Sequence, residues 1–145
     1  MPILGTVTEY GRHVLATMTG AGAYTTQLYF GFGPNGAGQA YPPTIDDSLN
    51  SISDELTGGD VERWPVTVAA YGTTGITISV SSYPVVAGLN GTTWCQMGIF
   101  DELTGGNMLY VGYHSVSPGS ATTDRQFATG DTWSIPIDFV FQADT

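Results

Sequence analysis

Thr132-Trp133-Ser134-Ile135-Pro136-Ile137-Asp138-Phe139-Val140-Phe141 decides the fold class of this 145-residue chain. Successive side chains of an extended strand point to opposite faces, so Trp133, Ile135, Ile137, Phe139 and Phe141 share one side. Thr132, Ser134, Pro136, Asp138 and Val140 share the other. One face is therefore expected to be buried and the other wet. Pro136 has no amide hydrogen to donate to a ladder, which places this strand at a sheet edge or at a bulge.

Period-two alternation continues towards the N-terminus. Residues 92–100 and 107–115 read as a hairpin joined by residues 101–106. Trp64, Val66, Val68 and Ala70 alternate, then Ile76, Ile78 and Val80, around the turn Gly72-Thr73-Thr74-Gly75. Leu28-Tyr29-Phe30-Gly31-Phe32 reads as a short aromatic strand. Two helices are expected. Thr6 and Glu9 fit a capping box, and Val7, Tyr10, Val14, Leu15 and Met18 follow at helical spacing over 7–18, with Gly20 and Gly22 as the stop. In residues 44–56, Ile45, Leu49, Ile52 and Leu56 recur at steps of four, three and four, which predicts a short acidic helix. The expected fold is mainly β: an antiparallel β-sandwich with an N-terminal amphipathic helix and a short acidic helix. It forms one β-rich domain over 1–145 with a short arm at 1–5.

Composition narrows the function. Glycine contributes 20 residues, and 11% of the chain is charged, against averages of about 7% glycine and about 25% charged residues. The chain is turn-rich and charge-poor, but its 41% hydrophobic content is enough for a core. Thirteen acids face three bases, Arg12, Arg63 and Arg125, for a net charge of -10 without a lysine. Nucleic acid and anionic membranes are poor partners, because both are bound through Lys and Arg. A Walker loop, a pyridoxal Schiff base and a lysine nucleophile all need the absent amine. Cys95 is the single cysteine; it forms no intramolecular disulfide or cysteine zinc site and reads as a small buried hydrophobe. Residues 1–5 lack the basic and apolar regions of a secretory leader, and no stretch is long enough for a membrane span, so neither is expected.

Chemistry-bearing residues are sparse and form no motif. Gly33-Pro34-Asn35-Gly36-Ala37-Gly38 follows a strand, but Tyr41-Pro42-Pro43 comes next instead of the helix a phosphate cradle requires. Asp46-Asp47, Asp54-Glu55, Asp60 with Glu62, and Asp101-Glu102 lack the calcium-loop spacing and read as solvated turns, with a structural cation as the alternative. His13 and His114 belong to neither a nucleophile elbow nor a His-Glu-x-x-His site. No catalysis, cofactor or metal is expected. The hexapeptide Asp-Glu-Leu-Thr-Gly-Gly occurs at 54–59 and again at 101–106. Its flanks share nothing, so it reads as one turn solution used twice.

Gln96-Met97-Gly98-Ile99-Phe100-Asp101, followed by Gly105-Gly106-Asn107-Met108-Leu109, resembles a pattern found in the tail-fibre N-terminal collar domains and small virion proteins of tailed bacteriophages. The surrounding order agrees: Thr8-Glu9-Tyr10-Gly11, then Phe30-Gly31-Phe32-Gly33, then an acidic segment and Arg63 leading a strand. Loosely, the resemblance covers residues 6–141. Gln96 departs from it, standing where the pattern has Glu. The resemblance implies a non-enzymatic, self-assembling virion structural protein, assembled in the host cytoplasm. With no fibre shaft after Thr145, the expected role is capsid decoration (cement), clamping major capsid protein subunits as a ring of copies, a homotrimer. A tail, collar, tail-fibre or baseplate component is the alternative, and a carbohydrate- or receptor-binding module a further one. Pro2, Ile3 and Leu4 of the apolar arm are the expected contacts to a neighbour, with Tyr41 and Trp64 as interface aromatics. Tyr24, Tyr41, Tyr83 and Trp64 are the candidate sugar-stacking rings.

Overall fold

A computed structural model describes residues 3–20, 27–71, 75–117 and 119–140. The elements run β1 (Ile3–Val7), α1 (Glu9–Gly20), β2 (Leu28–Gly33), β3 (Trp64–Tyr71), β4 (Gly75–Pro84), β5 (Thr93–Trp94), β6 (Gln96–Phe100), β7 (Met108–His114), β8 (Arg125–Gln126) and β9 (Thr132–Val140), with a single 3₁₀ turn at Ala87–Leu89. Seven strands form one antiparallel sheet in the order β1-β7-β6-β2-β3-β4-β9, and β5 pairs with β8 in a small second sheet. The molecule is mainly β, as the alternation predicts.

The expected sandwich is replaced by a curled single sheet. Leu28, Phe30 and Phe32 of β2, Trp64 of β3, Ile78 of β4, Ile99 of β6 and Ile135 of β9 meet in one buried cluster. Strands from the middle and the far edge of one sheet share a core because the sheet bends around it, so a full second layer is not needed. The small sheet closes the open side with Trp94, and Phe127 joins it just after β8. Phe32, Trp64, Trp94, Phe127 and Trp133 pack edge-to-face, stacked or, for Trp94 on Trp133, tilted, with centroids 4.6–6.4 Å apart.

β9 follows its alternation: Trp133, Ile135 and Phe139 are buried and Ile137 half-buried, while Thr132, Ser134, Pro136 and Asp138 are exposed. Phe141 lies outside the described residues. Among the described residues β9 is an edge strand, a position that tolerates proline; Pro136 pairs in register with Ser79, and the irregularity lies further along, in β4 between Val80 and Tyr83, across from Ile135 and Trp133.

Two expectations are corrected. Residues 3–5 of the expected arm, Thr6 and the expected first helical residue Val7 instead form a strand that pairs with β7 in the register Ile3↔His114 to Val7↔Tyr110. Thr6 therefore sits inside a strand, and Thr8 caps the helix by accepting the Gly11 amide at 2.9 Å. The helix backbone lies directly on the Leu109 carbonyl, an approach only Gly11 allows.

The acidic segment 44–56 forms no helix. Asp46 Oδ1 accepts both the amide (2.9 Å) and the hydroxyl (2.6 Å) of Ser48, a local turn that competes with helical bonding. The segment belongs to the irregular stretch between β2 and β3, which runs over the outer face of the sheet. There Ile52, Phe100, Met108 and Val111 form a second cluster, with Ile45 and Leu49 packed on it. Helical spacing thus reported which residues face inward, although turns deliver them.

Candidate functional site: the Arg63 clamp

Arg63 stands immediately before β3 with its side chain only 6% exposed. Nε donates to Glu55 Oε2 at 2.7 Å and Nη2 to Glu55 Oε1 at 2.8 Å, a fork-to-fork pair. Nη1 donates to the Glu102 carbonyl at 2.7 Å and the Gly105 carbonyl at 2.8 Å. The guanidinium carbon lies 3.6 Å from the centre of the Phe100 ring, a cation–π contact. Both copies of the hexapeptide are thereby tied to one cation.

Local sequence makes this possible. Asp54 takes a left-handed φ of +55°, and its Oδ2 accepts from the Asn35 side-chain Nδ2 at 3.0 Å. Glu55 then points at the sheet over Gly31, where an added Cβ would lie 2.8 Å from Glu55 Oε2. Glycine inside an aromatic strand marks this close approach. In the turn after β6, Asp101 Oδ1 accepts the Asn107 amide at 2.8 Å while Oδ2 accepts the Tyr10 hydroxyl at 2.9 Å. The turn is thus closed on itself and fastened to α1, with the two carbonyls presented to Arg63.

Chemically this is a brace. Arginine stays protonated and donates only, and both oxygens of its carboxylate partner are engaged, so the arrangement fixes chain segments without offering a proton to a substrate. The long segment is pinned further where Asn50 Oδ1 accepts the Met108 amide at 3.0 Å and Phe32 O accepts the Leu56 amide at 2.8 Å.

The sequence-named residues disperse. Trp64 is 1% exposed and stacks on Tyr83 at 4.3 Å, so it is core and not a surface aromatic; the first residue of a strand here points into the bend of the sheet. Tyr41 is 54% exposed. Ile3 is half-buried in β1, the Leu4 backbone pairs with β7, and Pro2 and Tyr24 lie outside the described residues. His13 is exposed on α1.

His114 is buried, with Nδ1 3.0 Å from the Thr123 carbonyl, and burial holds its imidazole below the usual value. Cys95 Sγ lies near the His114 backbone carbonyl rather than the ring, and burial, aided by the Asp124 charge, pushes its thiol up to about 11. The two are therefore not arranged as a nucleophile and base. Asp47 pairs with Arg12 at 3.0 Å on the surface, and Asp60 accepts the Gly88 amide. Among the described residues no three His, Cys, Asp or Glu side chains are grouped to hold a metal ion. No described helix is long and apolar enough to cross a membrane.

Sequence reasoning left the clamp unassembled. Its signals were an arginine in a charge-poor chain, a glycine within an aromatic strand and the recurring hexapeptide, which become one site only once the strands are paired. No family model, curated protein or solved structure matches the chain.

Proposed function

We propose that this chain is a non-enzymatic structural protein of a tailed-bacteriophage particle, a capsid decoration protein that braces major capsid protein subunits from outside, as a ring of copies. One observation carries the reading. Residues of the phage-like pattern, Gly31, Arg63, Phe100, Asp101 and Gly105, are contiguous around the clamp, so the pattern corresponds to one structural node. Such a node suits a protein that must keep its shape under load.

The charge distribution agrees with an outward position. Arg63 is inside, Arg12 is engaged by Asp47, and Arg125 is the exposed third base against thirteen acids, which leaves a mainly acidic exterior better suited to the outside of a shell than to its DNA-facing lumen.

The test is the copy number of this protein in purified particles, by gel densitometry against the major shell protein. Near one copy per shell subunit supports decoration. A few to a few dozen copies per particle replaces it with a tail or baseplate role, and absence from particles removes the virion reading.

A further inference from the structure

The curled sheet brings its two edges, β1 and β9, to opposite sides of a cleft of about 360 Å³. Residues of β1 line one side and residues 136–139 the other. Tyr110 of β7 lies between them, its ring centre 5.7 Å from that of Phe139.

The ladder to β7 fixes which backbone groups face this cleft. The Thr8 amide donates to Leu109 O at 3.0 Å, directly following the pair Val7↔Tyr110. In an antiparallel pair, alternate residues turn both backbone groups to the same neighbour. Thr6 and Leu4 therefore bond to β7, while the N–H and C=O of Ile3 and Gly5 and the N–H of Val7 face the open edge. The Val7 carbonyl is taken by Arg12 Nη1 at 3.3 Å.

The two edges are not equally protected. β9 carries Pro136, which has no N–H, and the exposed charge of Asp138. Both are devices that blunt an edge. β1, Ile-Leu-Gly-Thr-Val, carries neither. Among the described residues lining the cleft Asp138 is the one acidic side chain and none is Lys or Arg, and the Arg12 that reaches the Val7 carbonyl at its end is paired with Asp47. A second copy of this chain, with net charge -10, would be repelled where a cationic segment would be attracted.

We propose that β1 captures an extended, basic segment of a partner protein by strand addition, placing alternate apolar side chains against Tyr110, Ile137 and Phe139 and a lysine or arginine beside Asp138. This goes beyond the virion reading: copy number in particles could refute that reading while the edge still binds.

The probes are an octapeptide of alternating Val and Lys and its counterpart with Glu for Lys, titrated into the full chain by calorimetry, with amide hydrogen exchange followed by NMR. The Lys peptide binds saturably and slows exchange at Gly5 and Val7 by about tenfold or more, while Thr6, already bonded to β7, changes little. The Glu peptide binds at least about tenfold more weakly, and Asp138→Asn weakens the Lys peptide roughly fivefold with the melting temperature unchanged. Four results overturn the proposal: no binding, equal binding of the two peptides, Gly5 and Val7 amides already protected in the free chain, or protection that rises with protein concentration, which would make a second copy the occupant.

Discussion

Residues 54–59 and 101–106 have the same sequence and use it in opposite ways. In the first copy the glutamate side chain does the binding: Glu55 is 14% exposed and clasps Arg63 with both oxygens. In the second copy the Glu102 side chain is exposed and its backbone carbonyl is the group that Arg63 holds. Asp54 adopts a left-handed conformation and bonds Asn35, whereas Asp101 closes its own turn onto Asn107. Leu56 packs against the main core; Leu103 is 41% exposed. The glycines behave alike, with positive φ at Gly58, Gly59, Gly105 and Gly106. Six residues fix a turn, and what surrounds the turn fixes what each side chain does.

The largest effect is expected where the copies meet. Arg63→Ala leaves a largely buried carboxylate and two carbonyls without their cation and should cost about 3–5 kcal/mol in urea unfolding. A loss within about 0.5 kcal/mol would mean the clamp is incidental. Arg63→Lys, which cannot make the fork, should fall between the two.

Next comes the space that admits Glu55. Gly31→Ala places a methyl against Glu55 Oε2 and Phe100 and should cost about 1–3 kcal/mol. In the double variant with Arg63→Ala the two losses should add to less than their sum, because both break one contact.

Matched substitutions test the asymmetry directly. Glu55→Gln should cost about 1–3 kcal/mol and Glu102→Gln less than about 0.5 kcal/mol, by the same denaturation. Equal costs would erase the distinction between the copies. Asp101→Asn should cost about 1 kcal/mol, while Asp54→Asn should be near neutral, since asparagine tolerates the left-handed region.

The smallest effect concerns pH and sharpens the contrast with the region across the sheet, where His114 is buried without a carboxylate. Its folded value lies below the unfolded 6.5, so the unfolded chain binds the proton more readily. The stability it contributes is present above pH 6.5 and lost as pH falls below that value. Melting temperatures between pH 7 and 5 should fall less in His114→Gln than in the parent chain. An unchanged slope would remove His114 as the cause.

Much of the fold was legible locally. The alternation in β9 and the β3–β4 and β6–β7 hairpins express one rule: a residue's polarity records which side of its own element meets water. The helix was legible too, but two residues early and with Thr6 in place of Thr8 as its cap. The same rule located Ile45, Leu49 and Ile52 as inward-facing while mistaking the means, because steps of three and four also arise from successive turns. β1 stayed hidden because five residues are too few to separate a strand from an apolar lead-in to a helix. The clamp was less legible still, since Glu55 and Glu102 occupy the same position of identical hexapeptides, and nothing within those six residues distinguishes them.

The β character, the antiparallel hairpins, the restriction of Pro136 to an edge or a bulge, the absence of lysine and intramolecular disulfide chemistry, and the net negative charge can be read from the residues alone. Those follow from composition and from periods of two, which act over a few residues. Tertiary structure alone decided that the sheet curls instead of doubling, that Ile3–Val7 joins it as an edge strand, and that Arg63 binds one hexapeptide by its side chain and the other by its backbone. Strand pairing and burial act between residues far apart in the chain, and a buried cation takes whichever oxygens the closed fold brings within about 3 Å.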